Sequence, residues 1–261
     1  VKGADRLCMP APPYTLWEQG LKQLINIDRA WVPAEKNCSL YIRPTLIGTE
    51  PFLGVRPSNE FLFFVLLSPV GNYYVEGNNP VRIWVEQEYT RAAPGGLGAT
   101  KAAANYAGSL KAAATAKANG YSQVLWLDIT RQYIEEVGTM NVFFVIDDEV
   151  HTPQLTGTIL EGGTREAVID LLRLNGRKVV ERRIAWEELK EAHQRGLLTE
   201  AFGTGTAAVI SSIGELASGD GHIAWKSKNG GSNRIAHSIY KRITDIQRGE
   251  APDPFGWLVP I

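Results

Sequence analysis

Lys101 is the residue whose surroundings in this sequence most favour covalent chemistry. It follows a glycine-rich stretch that begins at Arg91, and it precedes three alanines, Asn105 and Tyr106. No carboxylate lies nearby in sequence, so burial there would favour the neutral amine, which is the form that attacks an aldehyde. The stretch matches neither familiar phosphate motif, because it has no Gly-Lys-Ser/Thr and lacks the last glycine of the dinucleotide fingerprint. From this loop alone, the alternative is a solvated lysine at a helix start.

Three further segments combine small residues with isolated polar groups. Glu136 precedes the apolar run 142–146, where a carboxylate could pair with a protonated ring nitrogen, although Glu135 and Glu136 also suit an acidic turn. Thr164 stands before a predicted helix as a candidate N-cap, and the N–H groups there suit an anion or simply a capped turn. Residues 202–208 are small except for Phe202, and they either receive phosphate or carboxylate oxygens or form a tight strand start.

Metal and serine-hydrolase chemistry find no motif in this chain. The four histidines lack metal-ligand spacing, and neither His-Glu-x-x-His nor Gly-x-Ser-x-Gly occurs. Two cysteines, Cys8 and Cys38, are too few for a disulfide framework or a structural zinc site. We therefore predict no metal site.

The elements that must position these residues alternate between helices and strands. Hydrophobic periodicity and the Gly120 stop signal predict five helices, at residues 16–26, 105–119, 165–175, 186–195 and 233–248. Strands are predicted at residues 39–44, 61–68, 81–86, 124–127, 142–146, 179–184 and 206–213.

Two of these strands and a polar stretch after them indicate a division into domains. Alternation places Tyr41 and Arg43 on one face of their strand, and the continuous apolar run at 61–68 indicates a strand covered on both faces. Residues 76–80 are polar and rich in turn formers, which predicts a linker between a small domain, 1–75, and a large one, 81–261.

The composition is that of an ordinary globular protein. The chain has 261 residues, of which 44% are hydrophobic and 21% are charged. Lys and Arg number 27 against 28 Asp and Glu, so no basic excess is present to bind a nucleic-acid backbone. No apolar run is long enough to cross a bilayer. We therefore predict neither a nucleic-acid nor a membrane partner.

Taken in order, these segments resemble the branched-chain aminotransferases of fold-type IV, which are α/β enzymes of two domains that use pyridoxal 5′-phosphate (PLP). The similarity extends from residues 6–10 through 39–44 and 49–55 to the terminus at 256–261. Its most specific stretches are Lys101-Ala-Ala-Ala-Asn-Tyr106 and Glu136-Val-Gly-Thr-Met-Asn141. The resemblance implies transfer of an amino group between leucine, isoleucine or valine and 2-oxoglutarate, by a homodimer.

The resemblance also implies a role for each matching position. Lys101 would bind PLP covalently and move the substrate proton, Glu136 would bond the pyridine nitrogen, and Tyr106 would donate to the phenolic oxygen. The remaining cofactor positions would be Arg91, Leu160, Gly162, Gly163, Thr164, Gly205 and Thr206, with Arg91, Gly163, Thr164 and Thr206 around the phosphate. The substrate positions would be Tyr41, Arg43, Thr139, Asn141, Thr206 and Ala207.

Some positions depart from the family pattern. Family members carry more chain before the equivalent of Val1, so we expect the small domain to be incomplete at its N-terminus. Glu161 and Gly163 stand where a proline and a branched residue are usual, which implies a looser phosphate turn. The alternatives are a D-amino-acid transaminase, an aminodeoxychorismate lyase, or a non-catalytic fragment that acts as an oligomeric partner. The expected location is the cytoplasm, or an organelle after removal of a presequence.

Overall fold

Two units make up the chain, Val1–Val75 with Gly256–Ile261, and Glu76–Phe255. The computed structural model describes residues 2–35, 38–71, 79–225 and 234–261. Most of the predicted linker, 76–80, lies outside the described residues, and the domain bounds stay a prediction. Among the described residues, no helix is both long and apolar enough to span a membrane.

Among its described residues, the first unit holds two α-helices and one antiparallel strand pair. Its helices are α1 (Lys2–Arg6) and α2 (Tyr14–Ile27), followed by a 3-10 turn at Arg29–Trp31, and its strands are β1 (Ser39–Gly48) and β2 (Phe61–Val70). Tyr41 and Arg43 share a face of β1 as predicted, because Arg43 Nη2 donates to Tyr41 Oη at 3.2 Å. The prediction that β2 is covered on both faces is wrong for this chain. Leu62 and Leu66 lie on one face of β2 and are 49% and 54% exposed.

The second unit is built on one nine-stranded mixed sheet. Its strands are β3 (Val81–Val85), β4 (Gln123–Leu127), β5 (Ile134–Val137), β6 (Asn141–Ile146), β7 (Glu149–Pro153), β8 (Val179–Arg182), β9 (Leu198–Gly205), β10 (Val209–Ala217) and β11 (His222–Ala224). They are ordered β5-β4-β3-β10-β9-β6-β7-β8, with β11 on β10. The β3/β4, β3/β10 and β7/β8 pairs are parallel and the others are antiparallel.

Four helices accompany this sheet, and all four were predicted. They are α3 (Ala103–Ala118), α4 (Gly163–Leu174), α5 (Trp186–Gln194) and α6 (Arg234–Gln247). The alanines of α3 serve packing, since Ala112 and Ala116 lie against Val124 and Trp126 of β4 in a fully buried cluster. Helix α3 ends before Gly120, whose φ of +80° suits a residue without a Cβ.

Apolar side chains at the centre of the sheet set the register on which the site depends. Phe143 of β6 and Phe202 of β9 are cross-strand neighbours with stacked rings, 5.2 Å between centroids, and both are fully buried. Such a pair favours one register over its slipped alternatives. The same register sets Asn141 opposite Thr204.

Three local predictions are wrong, each because tertiary contacts outweigh the local pattern. Glu135 and Glu136 lie inside strand β5 rather than in an acidic turn. The strand predicted at 206–213 begins at Val209, because Thr206, Ala207 and Ala208 form the turn of the β9–β10 hairpin. The N-cap of α4 is Gly162 rather than Thr164, which is the second helical residue. The sequence analysis does not predict strands β5, β7, β9 and β11.

Candidate active site

The site begins at two adjacent buried glutamates in the edge strand β5. Glu135 is 5% exposed and Glu136 is 4% exposed. Strand β5 turns into β6 through Gly138 and Thr139, and the φ of Gly138 is +57°. Trp126 Nε1 donates to the Gly138 carbonyl at 2.9 Å, so the turn is anchored to β4. The turn and strand therefore hold the glutamates rigidly.

Glu136 is held by two donors at one oxygen. The N–H of Leu160 donates to Glu136 Oε1 at 2.8 Å, and Arg91 Nη2 lies 3.3 Å from the same atom. Burial nevertheless raises the pKa of Glu136 to about 7, with a further rise from the charge of Glu135, against the lowering effects of Arg91, Leu160 and Lys101. Near neutral pH this carboxyl can therefore hold or release a proton.

Lys101 and Tyr106 are distant from Glu136 along the chain, but they line the same pocket. Lys101 Nζ is 3.2 Å from Tyr106 Oη, and both residues line the pocket with Glu136. Lys101 is exposed in this chain, so the burial invoked for it from the sequence is not found. Helix α3 starts at Ala103, and this leaves Lys101 in the open loop before it.

Arg91 lies at the carboxylate end of the pocket. Its side chain is 7% exposed, and its Nη2 donates to the backbone carbonyl of Thr158 and contacts Glu136. Both Nη atoms also approach the Gly98 carbonyl at 3.4 Å. These contacts do not favour the phosphate role expected for Arg91, which stays a prediction.

The segment from Leu160 to the start of α4 is tied to β6 by Asn141. Asn141 Nδ2 donates to the Leu160 carbonyl at 2.9 Å. A Cβ on Gly162 would lie 2.2 Å from Asn141 Oδ1, so only glycine fits there. Gly163 and Thr164 open α4, and the first N–H groups of a helix have no acceptor within it. The N-terminus of α4 thus begins three residues after Leu160 of the pocket, and helix termini of this kind suit anions. The phosphate contacts of Gly163 and Thr164 stay a prediction.

The hairpin turn between β9 and β10 carries Thr206 and Ala207, both exposed, directly after Gly205. Val209 closes the turn opposite Gly205 with a φ of +56°, a rare conformation for a β-branched residue. Backbone strain of this kind concentrates at functional sites. The predicted contacts of this turn with phosphate and substrate stay predictions.

The structure gathers only some of the predicted positions into one pocket. Those that line it are Arg91, Lys101, Tyr106, Glu136, Thr139 and Leu160. Asn141 and Gly162 adjoin it through Leu160. Tyr41 and Arg43 belong to the first unit, and their contact with substrate stays a prediction.

The predicted site residues did not include Asn105, which shapes the loop around Lys101. Asn105 Nδ2 donates to the carbonyls of Leu97 at 2.7 Å and Thr100 at 2.8 Å. Its position between Lys101 and Tyr106 is the feature of the sequence that could have identified it. Thr158 was also missed, and nothing in its local sequence marks it, because its partners Glu135 and Arg91 lie 23 and 67 residues away.

The residues present fit PLP. One pocket holds an amine beside a hydroxyl, at Lys101 and Tyr106, and a buried acid, Glu136. These are the groups needed for an aldehyde carbon, a phenolic oxygen and a ring nitrogen. Thr204 Oγ1, across the sheet from Asn141, is buried with no hydrogen-bond partner among the described residues. No group of three or more potential metal ligands occurs in those residues.

Comparison with known proteins identifies the class. The profile of the family Amino-transferase class IV matches residues 1–216. The chain belongs to the class IV aminotransferases, and its α/β fold is the fold-type IV arrangement predicted from the sequence. The relatives point further, to one subgroup of that family.

Branched-chain-amino-acid aminotransferase 2 of Bacillus subtilis (strain 168) is 52% identical over 258 residues, which cover 98% of this chain and 70% of that protein. Branched-chain-amino-acid transaminase 1 of the same organism is 48% identical over 269 residues, covering 100% of this chain and 73% of that protein. The solved branched-chain amino acid aminotransferase of Escherichia coli matches with a TM-score of 0.79 at 26% identity, over 99% of this chain and 79% of that one. These relatives confirm the predicted resemblance and do not favour the alternative fold-type IV activities or a non-catalytic fragment.

Proposed function

We propose that this chain catalyses PLP-dependent transfer of the amino group between leucine, isoleucine or valine and 2-oxoglutarate. The observation that carries the proposal is the pocket in which the Lys101 amine, the Tyr106 hydroxyl and the buried Glu136 carboxyl converge. The two Bacillus subtilis relatives, named as branched-chain aminotransferases, support the substrate class.

When bound, PLP supplies an aldehyde carbon that combines with amines and a pyridine ring that accepts the electron pair left at the substrate Cα. Lys101 Nζ would hold that carbon covalently and would serve as the base that moves the proton from the substrate Cα to the same carbon. Tyr106 Oη, 3.2 Å from Lys101 Nζ, donates to the phenolic oxygen and keeps the amine oriented. Exposure of Lys101 allows it to swing aside when substrate arrives.

Glu136 serves the ring nitrogen. Its pKa of about 7 in the cofactor-free protein lets the carboxyl hold or release a proton near neutral pH, so it would exchange a proton readily with the ring nitrogen. Leu160 N–H and Arg91 occupy Oε1, which orients the carboxyl and leaves Oε2 for the ring. A protonated ring accepts the Cα electron pair more readily.

The phosphate is assigned to the N-terminus of α4, with Gly163 and Thr164 offering backbone N–H groups and the helix dipole adding attraction. Thr206, in the β9–β10 turn, supplies a further hydroxyl. Gly162, in close contact with Asn141, holds the helix start next to Leu160, which would pack on the ring.

The substrate is assigned to the side of the pocket that carries Thr139 and to the backbone donors at Gly205, Thr206 and Ala207. Asn141 supports this wall through its bond to the Leu160 carbonyl. Tyr41 and Arg43 stay predicted substrate-binding residues. The assembly is assigned as a homodimer, since the chain exposes large apolar side chains such as Leu53, Val55 and Leu110 that a partner would cover. Its assigned location is the cytoplasm.

The test replaces Lys101 with alanine and uses Lys117→Ala, an exposed lysine of the same helix region, as the matched control. Purified proteins are loaded with PLP, reduced with borohydride and digested, and the labelled peptide is identified by mass spectrometry. Wild type and Lys117→Ala should carry the label on Lys101 and turn over L-leucine with 2-oxoglutarate. Lys101→Ala should carry no label and lose at least about 10³-fold in turnover, because the base and the covalent link are lost together.

Assays with D-alanine and aminodeoxychorismate in parallel should show no turnover comparable to that of L-leucine. Label on a different lysine, or multiple turnovers by Lys101→Ala, would refute the assignment of Lys101. Preference for D-alanine would refute the substrate class while leaving the cofactor assignment intact.

A further inference from the structure

A second buried carboxyl lies next to Glu136, and the proposed chemistry does not use it. Glu135 accepts a hydrogen bond from Thr158 Oγ1 at its Oε1, whereas its Oε2 is buried and has no hydrogen-bond partner among the described residues. A buried polar atom without a partner is costly, so it calls for an explanation other than stability.

Arg91 links the two glutamates, because it contacts Glu136 directly and reaches Glu135 through Thr158. Arg91 Nη2 lies 3.3 Å from Glu136 Oε1 and donates to the carbonyl of Thr158, the residue whose hydroxyl donates to Glu135. The charge of Arg91 acts on both carboxyls and opposes the rise in pKa that burial causes in each. Because one guanidinium cannot neutralise two buried carboxylates, the cluster carries an excess negative charge unless one carboxyl is protonated.

The other charged groups around the pair balance in number, but both further cations, Arg183 and Lys101, are exposed to solvent, and Arg183 lies 3.8 Å from Asp128. Asp128, at the end of β4, is a second negative neighbour, and Arg183, after β8, is a positive one. Burial raises the pKa of Glu135, against the Thr158 hydrogen bond and Arg91. Glu136 faces Lys101 in addition to Arg91 and Glu135.

We propose that Glu135 is a positioning residue for transamination: its charge competes for Arg91 and thereby keeps Glu136 able to hold the proton that it shares with the ring nitrogen. Glu135 does this from behind Thr158, without facing the reacting atoms. The inference rests on the proposed function for its consequence in catalysis, although the coupling between the two carboxyls exists without cofactor.

The cluster also has a route by which a proton can reach solvent. Thr158 Oγ1 lies 2.8 Å from Thr156 Oγ1, and Thr156 is exposed. The chain from Glu135 through two hydroxyls to solvent lets the buried pair equilibrate with bulk water. Glu135 thus adjusts to pH although it is only 5% exposed.

The experiment measures the titration of Glu136 in cofactor-free protein by carboxyl ¹³C NMR, with the signal assigned by its loss in Glu136→Gln. In Glu135→Gln, which keeps the shape and removes the charge, the Glu136 midpoint should fall by about one pH unit, the usual effect of one neighbouring charge. The matched control, Glu191→Gln on the exposed face of α5, should leave it unchanged. Thr158→Val should shift it in the same direction, since losing the hydroxyl favours protonated Glu135.

The wild-type protein provides a test that needs no variant. The Glu136 signal should show two steps, the minor one at the midpoint of Glu135, because coupled groups titrate as a pair. A single-step curve, or a Glu136 midpoint in Glu135→Gln that stays or rises, overturns the proposal. These results are independent of the borohydride and turnover tests, so failure of the proposed function would be recognised separately. In the loaded enzyme, the pH profile of kcat for Glu135→Gln should move the same way while Lys101 labelling is retained.

Discussion

Gly98 should be irreplaceable, because it lies where the loop before Lys101 crosses the segment that serves both glutamates. A Cβ at position 98 would stand 2.1 Å from the Thr158 carbonyl oxygen and 2.6 Å from the Ala92 Cβ. Ordinary contact begins near 3.4 Å, so the loop and the segment would have to separate by about 1 Å against backbone atoms, which cannot rotate away. The separation would stretch the bonds from Arg91 to the carbonyls of Gly98 and Thr158.

We expect Gly98→Ala to lower the free energy of unfolding by about 3 kcal/mol, the upper end of the range for overpacking. The matched control is Gly108→Ala in the interior of α3, where a Cβ meets nothing within 4 Å. That change should raise the free energy of unfolding by about 1 kcal/mol through helix propensity. Urea unfolding of the cofactor-free proteins, compared at equal m-values, measures both.

The two substitutions add the same methyl group, so only the surroundings distinguish them. A Gly98→Ala protein within about 0.5 kcal/mol of wild type would show that the loop and segment are not in contact as described. The predicted loss should extend to function, with weaker PLP binding, because displacement of Thr158 also moves Leu160 away from Glu136.

Two further predictions concern buried carboxylates. Glu200 of β9 accepts hydrogen bonds from the N–H groups of Ile235 and Ala236 at 3.0–3.2 Å and so caps α6. Glu200→Ala should lower the free energy of unfolding in urea by about 2 kcal/mol, whereas Glu191→Ala, at an exposed site, should change it by less than about 0.5 kcal/mol. Equal values for the two variants would refute the cap. Because the pKa of Glu136 is raised from 4.5 to about 7, the native state binds more protons than the unfolded chain between these values. The cofactor-free protein should therefore lose about 3 kcal/mol as pH rises through that window, a loss that Glu136→Gln should lack in urea unfolding across pH 4–8.

The helices were largely predictable because their signals are local. The alanine-rich α3 and its stop at Gly120 follow from propensity and from the positive φ that glycine allows. Strand β5 was missed for the opposite reason. Ile134 to Val137 contains two adjacent glutamates, which have low strand propensity, and only burial by neighbouring elements makes them a strand.

The boundaries around the site were set by contacts between distant residues. Thr164 has the usual N-cap side chain, yet α4 starts at Gly163, because Gly162 fits against Asn141 where a side chain would not. Thr206 was expected in a strand, yet the pairing of Gly205 with Val209 closes a hairpin there. Neither partner lies in the local window that a periodicity argument uses.

The amino-acid sequence was sufficient to specify the chemistry: an amine at Lys101, a hydroxyl five residues on at Tyr106, an acid at Glu136, and the family that carries them in this order. Only the tertiary structure determined the protonation state of the Glu136 carboxyl. Arg91, Glu135 and Thr158 are far apart along the chain, and their effect on Glu136 exists only because the sheet edge and the 158–160 segment bring them into one region shielded from water, where Coulomb interactions are strong.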